Sequence, residues 1–223
     1  MSIICQGVPG TRVEGRNFLV KMSESMIGSD VVRFEPRGIG YSEGEFYNLT
    51  HKSWLADIAG ILHETLNSNN YTTVKLVLMS DASKMIVNIL EKVLKKLDDC
   101  IKWQIILING ILTKENKSGP NKTRIIKMGN GNWGLYTGFG VYFSLDFLDY
   151  YPDKDKVRKV IHENRKNIFG IYGMKDDLTI NSKLLLKDIG IQTFEIREGD
   201  HLFTSGNCMK EVIQSIKEIY NNY

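Results

Sequence analysis

Short apolar runs alternate along this chain with stretches of helical periodicity. The apolar runs predict six strands, at residues 3–5, 31–34, 74–79, 103–108, 168–172 and 193–196. Stretches in which apolar residues recur every three or four positions predict six helices, at residues 16–25, 53–67, 84–97, 154–164, 182–189 and 209–220. The strands are rich in Ile, Val and Leu without clean alternation, which is typical of strands buried on both faces. We therefore expect an α/β fold, with a mostly parallel sheet that carries helices on both faces.

The alternation breaks between residues 113 and 153, a stretch rich in Gly, Asn, Lys and aromatic residues. Its glycines do not stand between a strand and a helix, so they predict a small hairpin or loop rather than a phosphate-binding turn. The aromatic side chains of this stretch fit either of two roles, lining an apolar substrate pocket or packing the insert onto the core. They are Trp133, Tyr136, Phe139, Tyr142 and Phe143.

Length and charge narrow the class of protein. The chain has 223 residues, of which 42% are hydrophobic and 25% charged, so it can bury a substantial core, and we expect one domain over residues 1–223. Its 29 basic and 26 acidic residues give a formal net charge of +3, a balance too even to predict nucleic-acid binding. Lys92, Lys95 and Lys96 share one predicted helix and are interpreted as a solvated face.

Cysteine usage and the absence of long apolar stretches predict the cellular compartment of the protein. Cys5, Cys100 and Cys208 are odd in number and widely spaced, which argues against a disulfide framework and against a zinc cluster. No apolar stretch reaches the roughly 18 residues of a membrane-spanning helix. The first residues predict a strand rather than a signal peptide. We therefore expect a cytoplasmic protein.

Two polar residues follow neighbouring predicted strands near the end of the chain. Strand 168–172 runs into Gly173-Met-Lys-Asp176, and strand 193–196 is followed by Glu-Gly-Asp-His201. The carboxyl ends of neighbouring parallel strands meet at one edge of a sheet, so we expect Asp176 and His201 to lie within hydrogen-bond distance. A carboxylate followed by an imidazole is the order of acid and base in a nucleophile–acid–base system. Asp177 competes for the acid role, but Asp176 has the Gly-x-x-Asp spacing.

Two further segments near the start of the chain resemble a known family. Residues 30–44, Asp-Val-Val-Arg-Phe-Glu-Pro-Arg-Gly-Ile-Gly-Tyr-Ser-Glu-Gly, resemble the strand and Asp-x-Arg-Gly-x-Gly-x-Ser-x-Gly turn of α/β-hydrolases, with Glu35 in place of the Asp. Residues 3–10, Ile-Ile-Cys-Gln-Gly-Val-Pro-Gly, resemble the family's earlier strand ending in His-Gly, with Gln6 in place of the His. The resemblance covers residues 3–201 and keeps the order of elements.

The resemblance also carries expectations about the chain's start and its insert. It begins at the strand that is usually third in the family, so we expect that the first hairpin is lost or that the start is truncated. The break at residues 113–153 lies where this fold commonly inserts its lid, and we expect that insert to cover the strand ends that carry the site.

The nucleophile is the part of the pattern that the sequence leaves open. A nucleophile elbow follows a strand and needs small residues around the reactive side chain. The matching place is Val-Lys-Leu-Val-Leu-Met-Ser-Asp-Ala-Ser-Lys-Met, residues 74–85. Ser80 is the preferred nucleophile, although Leu78 before it is bulky; Ser83, and Asp81 as a carboxylate nucleophile, are alternatives. A strict strand register instead puts Ala82 at the reactive position, which would leave the chain without a nucleophile.

The resemblance implies acyl transfer from an ester, thioester or amide to water or another acceptor. In that reaction His201 takes a proton from the attacking hydroxyl and Asp176 orients the imidazole. Backbone N–H groups of Val8 and of the residue after the nucleophile, Asp81, form the oxyanion hole. The partner implied is a small-molecule acyl substrate, and no metal or organic cofactor is implied. The alternative is a binding or scaffold protein that keeps the fold with a degenerate elbow.

The remaining histidines carry no predicted chemistry. His51 precedes a predicted helix, and this position predicts a helix-capping or surface role for it. His63 and His162 lie in helical patterns without a partner at metal-ligand spacing.

Overall fold

The core of the molecule is a six-stranded parallel sheet. The structure, a computed structural model, describes residues 1–114, 124–129, 131, 133–136 and 142–221. Its strands are β1 Ser2–Cys5, β2 Val31–Arg33, β3 Thr73–Met79, β4 Lys102–Ile108, β8 Ile168–Gly173 and β9 Gln192–Ile196. Along the sheet they follow the order β2-β1-β3-β4-β8-β9, and every pairing between them is parallel. All six predicted strands are therefore present.

Helices cover both faces of this sheet, as the sequence predicts. They are α1 Phe18–Ser25, α2 His51–Asn67, α3 Ile86–Asn88, α4 Leu145–Leu148, α5 Lys154–Glu163, α6 Ile180–Asp188 and α7 Gly206–Asn221. Side chains of α1 and α7 share one core cluster, whereas those of α2, α5 and α6 share the cluster on the opposite face. A mostly parallel sheet between two helical layers confirms the predicted α/β fold class.

Strand β3 shows why the strands lack an alternating pattern. Leu76 and Leu78 pack into the cluster that contains α2, whereas Val77, between them, packs into the cluster that contains α1 and α7. All three side chains are fully buried. Successive side chains of a strand point to opposite faces, so a strand covered on both faces needs apolar residues at every position.

Two predicted helices differ from the observed ones. The helix predicted at 16–25 begins as α1 only at Phe18, because Arg16 and Asn17 have φ angles of 57° and 58°. The helix predicted at 84–97 is a helical segment of mixed geometry, made of 3₁₀ turns Ser80–Met85 and Leu94–Lys96, α3, and a π turn Ile89–Val93. Such turns are common where a helix adjoins a functional site, and the many β-branched residues of this segment also weaken regular helix.

Within the insert, the described residues form a second, small antiparallel sheet. Its strands are β5 Arg124–Lys127, β6 Trp133–Tyr136 and β7 Tyr142–Ser144, in the order β5-β6-β7. Phe143 is buried, and its ring meets that of Phe46 edge-to-face with the centroids 4.8 Å apart. The insert therefore packs onto the core through β7. Its role as a lid stays a prediction.

No helix in the described ranges is both long enough and apolar enough to cross a membrane.

Candidate active site

A sharp turn carries Ser80 at the end of β3. The strand ends at Met79, and Ser80 begins the 3₁₀ helix Ser80–Met85. Ser80 has a φ of 48°, in the left-handed region that residues other than glycine rarely adopt. Strained backbone of this kind is characteristic of a strand-to-helix turn that exposes a side chain at the top of a parallel sheet.

Glycines just after the two flanking strands make room for this turn. A Cβ on Gly7, just after β1, would come within 2.8 Å of the Cβ of Ser80. A Cβ on Gly110, just after β4, would come within 2.5 Å of the Oγ of Ser83. Any side chain at either glycine would force the turn to shift. The bulky Leu78 is accommodated because its side chain lies inside the core, fully buried.

Ser80, His201 and Asp176 form one hydrogen-bonded line. The Oγ of Ser80 lies 2.8 Å from Nε2 of His201, and Nδ1 of His201 lies 2.8 Å from Oδ2 of Asp176. A carboxylate can only accept, so Nδ1 carries the imidazole proton and Nε2 is left to accept from the Ser80 hydroxyl. The contact expected between Asp176 and His201 is present, and it continues to Ser80.

Asp176 is held by more than its contact with His201. Its Oδ2 accepts a hydrogen bond of 2.7 Å from the hydroxyl of Thr179, and its Oδ1 accepts one of 3.0 Å from the backbone N–H of Leu178. Only 2% of Asp176 is exposed to solvent. Three donors in a buried position fix the carboxylate in one orientation, and this orientation in turn fixes the imidazole ring.

Asn109, a residue not predicted from the sequence, ties the His201 loop to the sheet. Its Nδ2 donates to the carbonyls of Asp200 and His201, both at 3.0 Å, and its Oδ1 accepts from the N–H of Gly173 at 2.8 Å. Asn109 itself is 2% exposed and has a φ of 42°. A polar residue directly after β4, where Asp176 and His201 also follow their strands, was the signal available in the sequence.

The other predicted nucleophiles lie in different surroundings. Ser83 is fully buried, and its hydroxyl donates to the carbonyl of Leu78 at 3.1 Å. The carboxylate of Asp81 forms an ion pair of 2.8 Å with the buried Lys84. Ala82 is fully buried, so the strict register that put it at the reactive position is wrong. Among the candidates of this turn, Ser80 is the residue in contact with His201.

The two residues whose backbone N–H groups are predicted to form the oxyanion hole are Val8 and Asp81, and that role stays a prediction. Asp81 is the second residue of its 3₁₀ helix, so its N–H has no acceptor within that helix. Val8 follows Gly7, whose carbonyl accepts from the N–H of Gly10 at 2.9 Å in a tight turn. Val8, Asp81 and Ser80 all line the same cavity.

This cavity has a volume of about 670 Å³ and opens beside Ser80. Its walls are mainly apolar, and the cavity is of a size typical of small-molecule sites. The apolar wall residues include Phe18, Ile108, Ile111, Leu178, Phe203 and Met209.

The predicted pocket residues of the insert need correction. Trp133 and Tyr142 are 56% and 40% exposed, and neither lines the cavity beside Ser80. The side chain of Tyr136 and the whole of Phe139 lie outside the described residues. The wall is built instead by the loop that leads into α1 and by the turns after β8 and β9, because these are the segments that adjoin the carboxyl end of β3.

The two departures from the family pattern have different surroundings. The carboxylate of Glu35 accepts a hydrogen bond of 2.9 Å from the backbone N–H of Tyr41 and so closes its loop. An Asp carboxylate in the family pattern has the same acceptor chemistry. Gly40, with a φ of 57°, leaves space for that carboxylate, since a Cβ there would lie 2.3 Å from it. Gln6 is fully buried, and neither side-chain polar atom has a partner among the described residues.

His51 is a core residue, which corrects the predicted cap or surface role. It is 7% exposed, and its ring stacks between Phe147 and Tyr150 with centroids 4.3 and 4.2 Å away. The cap of α2 is Thr50, which exchanges hydrogen bonds with Ser53. Burial, and secondarily the charge of Lys84, lower the pKa of His51 to about 3.

Stability should therefore fall in mild acid because of His51. The unfolded chain takes up a proton on His51 below about pH 6.5, whereas the folded chain resists it down to about pH 3, so lowering the pH favours unfolding. We expect wild type to lose about 2 kcal/mol more than His51→Phe between about pH 7 and about pH 5. Urea unfolding at both pH values measures this difference. His162→Gln, at an exposed site, is the control; equal losses in wild type and His51→Phe would contradict the assignment.

His63 and His162 are both exposed. In the described part of the chain, no group of three or more His, Cys, Asp or Glu side chains is arranged to hold a metal ion.

Comparison with known proteins identifies the fold. No family model and no curated protein matches the sequence. The structure is similar to Est1E from Butyrivibrio proteoclasticus with ferulic acid bound, with a TM-score of 0.71 at 16% identity over 99% of this chain and 88% of that one. It is also similar to the methylesterase MES16 from Arabidopsis, with a TM-score of 0.65 at 12% identity over 97% and 98% of the two chains. For mouse alpha/beta hydrolase domain-containing protein 10 the TM-score is 0.61 at 17% identity over 99% and 89%. The chain thus has the α/β-hydrolase fold.

Proposed function

We propose that this chain, which has the α/β-hydrolase fold, is a serine hydrolase that cleaves carboxylic esters with Ser80 as nucleophile. The observation that carries the proposal is the continuous line from Ser80 through His201 to Asp176, with both contacts at 2.8 Å. The esterases among the structures of similar fold add support to an ester substrate.

The first chemical step follows from the direction of these hydrogen bonds. His201 removes the hydroxyl proton through Nε2 as the Oγ of Ser80 bonds to the ester carbonyl carbon. The imidazolium that forms is stabilised by the buried carboxylate of Asp176. His201 then gives the proton to the leaving alkoxide, which departs as the alcohol and leaves Ser80 acylated.

Charge that develops on the carbonyl oxygen is stabilised by the backbone. The N–H groups of Val8 and Asp81 are the proposed donors, and they are fixed before the substrate arrives because they belong to a tight turn and to a helix start. Preorganised donors of this kind contribute about 3–4 kcal/mol each to transition-state stabilisation. In the second half of the reaction His201 takes a proton from water as the water oxygen bonds to the acyl carbon. His201 then returns that proton to Oγ of Ser80 as the acid is released.

Apolar walls favour an ester with at least one hydrophobic side. Leu178 and Leu202, at the cavity, are 54% and 65% exposed, so the wall continues to the surface of the protein. Thioesters and amides have the same carbonyl chemistry, and transfer to another acceptor differs from hydrolysis in the final attacking group. Hydrolysis is the simpler proposal because the cavity is open to water.

The sequence left a non-enzymatic protein with a degenerate elbow as the alternative. That alternative was favoured by three departures from the family pattern, namely Gln6, Glu35 and the elbow sequence Met-Ser-Asp-Ala-Ser-Lys at residues 79–84. The position of Ser80 within hydrogen-bond distance of His201 favours the enzyme instead, because a decayed elbow has no reason to keep a strained serine against an imidazole.

A panel of p-nitrophenyl esters from acetyl to octanoyl tests the proposal. We expect turnover of short and medium acyl groups by purified protein, and loss of that turnover on reaction with a fluorophosphonate. Absence of turnover across the panel would contradict ester hydrolysis.

A further inference from the structure

Glu14 lies in the wall of the cavity beside Ser80. A Cβ on Gly10 would lie 1.7 Å from the carboxylate Oε1 of Glu14 and 2.8 Å from the carbonyl oxygen of Gly7. The carboxylate therefore rests directly on the turn that carries Val8, one of the proposed oxyanion donors. Glycine at position 10 is what allows this approach.

The backbone at Glu14 is strained. Its φ of 55° and ψ of 171° lie in a region that essentially only glycine occupies at low cost. Arg16 and Asn17, in the same loop, also have positive φ. The loop that lines the cavity thus has three non-glycine residues of positive φ, although Gly15 interrupts their run, and strain of this kind concentrates at ligand-binding sites.

No cation compensates the Glu14 carboxylate within the described residues. The nearest identified donor is the backbone N–H of Gly15, and the described ion pairs do not include Glu14. Burial raises the pKa of Glu14 to about 7. A carboxylate in an otherwise apolar wall is costly to ionise, and a cation in the cavity would remove that cost.

We infer that Glu14 selects esters that carry an ammonium or quaternary ammonium group, and that it binds this group in the cavity beside Ser80. The inference rests on the proposed ester hydrolysis and names its substrate class. Apolar wall residues such as Phe18 and Phe203 suit the alkyl groups around the nitrogen, while the carboxylate suits its charge.

Other charged groups share the cavity and define the electrostatic background. Arg16 lies on the same loop and is exposed, Asp81 is paired with Lys84, and His201 is paired with Asp176. Because the carboxylate of Asp81 is already paired, Glu14 is the cavity carboxylate left to attract a cation. The positive charge of Arg16 opposes that attraction.

A matched pair of esters isolates the charge. Choline butyrate and 3,3-dimethylbutyl butyrate have nearly the same shape, but the first has a quaternary nitrogen where the second has carbon. We expect wild type to prefer the choline ester by about tenfold or more in kcat/KM, and Glu14→Gln to lose that preference. Glu24→Gln, an exposed carboxylate on α1 that does not line the cavity, is the matched control and should keep the preference. Arg16→Gln should strengthen it.

The wild-type protein provides a second measurement that needs no variant. Because the pKa of Glu14 is about 7, the preference should rise several-fold between about pH 6 and about pH 8 as the carboxylate ionises. Any effect of pH on the chemical step that the two esters share cancels in their ratio.

The outcomes separate the two proposals. Equal kcat/KM for the two esters in wild type, or a preference that survives Glu14→Gln, overturns the role of Glu14 while ester hydrolysis stands. Failure to hydrolyse either ester, together with failure on the p-nitrophenyl panel, overturns the hydrolase itself.

Discussion

Ser80→Ala and His201→Ala should each reduce kcat for ester hydrolysis by about 10⁴-fold or more. Ser80→Ala removes the atom that bonds to the carbonyl carbon, and His201→Ala removes the base that lies 2.8 Å from it. The two groups act in one step, so the double variant should be little worse than either single one. Steady-state kinetics on one p-nitrophenyl ester measures all three variants.

Ser83→Ala is the matched control for this experiment. Its hydroxyl is buried and donates to the carbonyl of Leu78, so its loss should cost about 1 kcal/mol of stability and leave most of the turnover. If Ser83→Ala abolishes turnover while Ser80→Ala keeps it, the nucleophile is Ser83 and the assignment is wrong. Effects of Ser80→Ala and His201→Ala that multiply would show that the two residues do not share a step.

Asp176→Asn should reduce kcat by about 10²- to 10⁴-fold while leaving KM nearly unchanged. An amide at position 176 can donate to Nδ1 of His201, which would move the imidazole proton to Nε2 and leave no acceptor for the Ser80 hydroxyl. The side chain is 2% exposed and remains held by Thr179 and Leu178, so the geometry should survive. Stopped-flow or steady-state rates with the same ester measure the loss.

Asp177→Asn provides the control, since the sequence left Asp177 as a competitor for the acid. It is exposed, and His201 contacts Asp176 instead. Turnover in Asp177→Asn should match wild type. A large loss there, with Asp176→Asn unaffected, would exchange the two roles.

The parallel sheet could be predicted from the sequence because a strand that is buried on both faces has an apolar run without alternating polar residues. Strand β3 shows this best, since its continuous apolar run exists only because helices cover each side. The positions of Asp176 and His201 could also be predicted, because both follow strands that end at the same edge of the sheet. The short distance between these two side chains follows from the pairing of the strands that precede them, and the order of strands and helices along the chain predicts that pairing.

The nucleophile could not be predicted with the same certainty, because the residues that make room for it are far from it in sequence. The usual test of small neighbours along the chain fails at Leu78. Space for the turn comes from Gly7 and Gly110, which follow the strands on either side of β3. Neighbours across a sheet are not visible in the local pattern, so Ser80, Ser83 and Asp81 remained open.

The cavity wall was mispredicted for a related reason. Aromatic content drew attention to the insert, including Trp133 and Tyr142, which are exposed. The loop before α1 carries the wall instead, through Glu14 and Arg16 in backbone conformations that their residue types do not favour. Tertiary contacts impose those conformations, and local propensity does not reveal them.

Labelling with a fluorophosphonate followed by peptide mapping tests the central claim most directly. Trypsin cleavage after Lys75 and Lys84 gives one peptide that contains both Ser80 and Ser83, so fragmentation of that peptide assigns the label. We predict one label per chain on Ser80, none in Ser80→Ala, and much slower labelling in His201→Ala. A label on Ser83 would contradict the nucleophile assignment. A protein that takes no label, hydrolyses no ester and still binds an apolar ligand would be the non-enzymatic alternative.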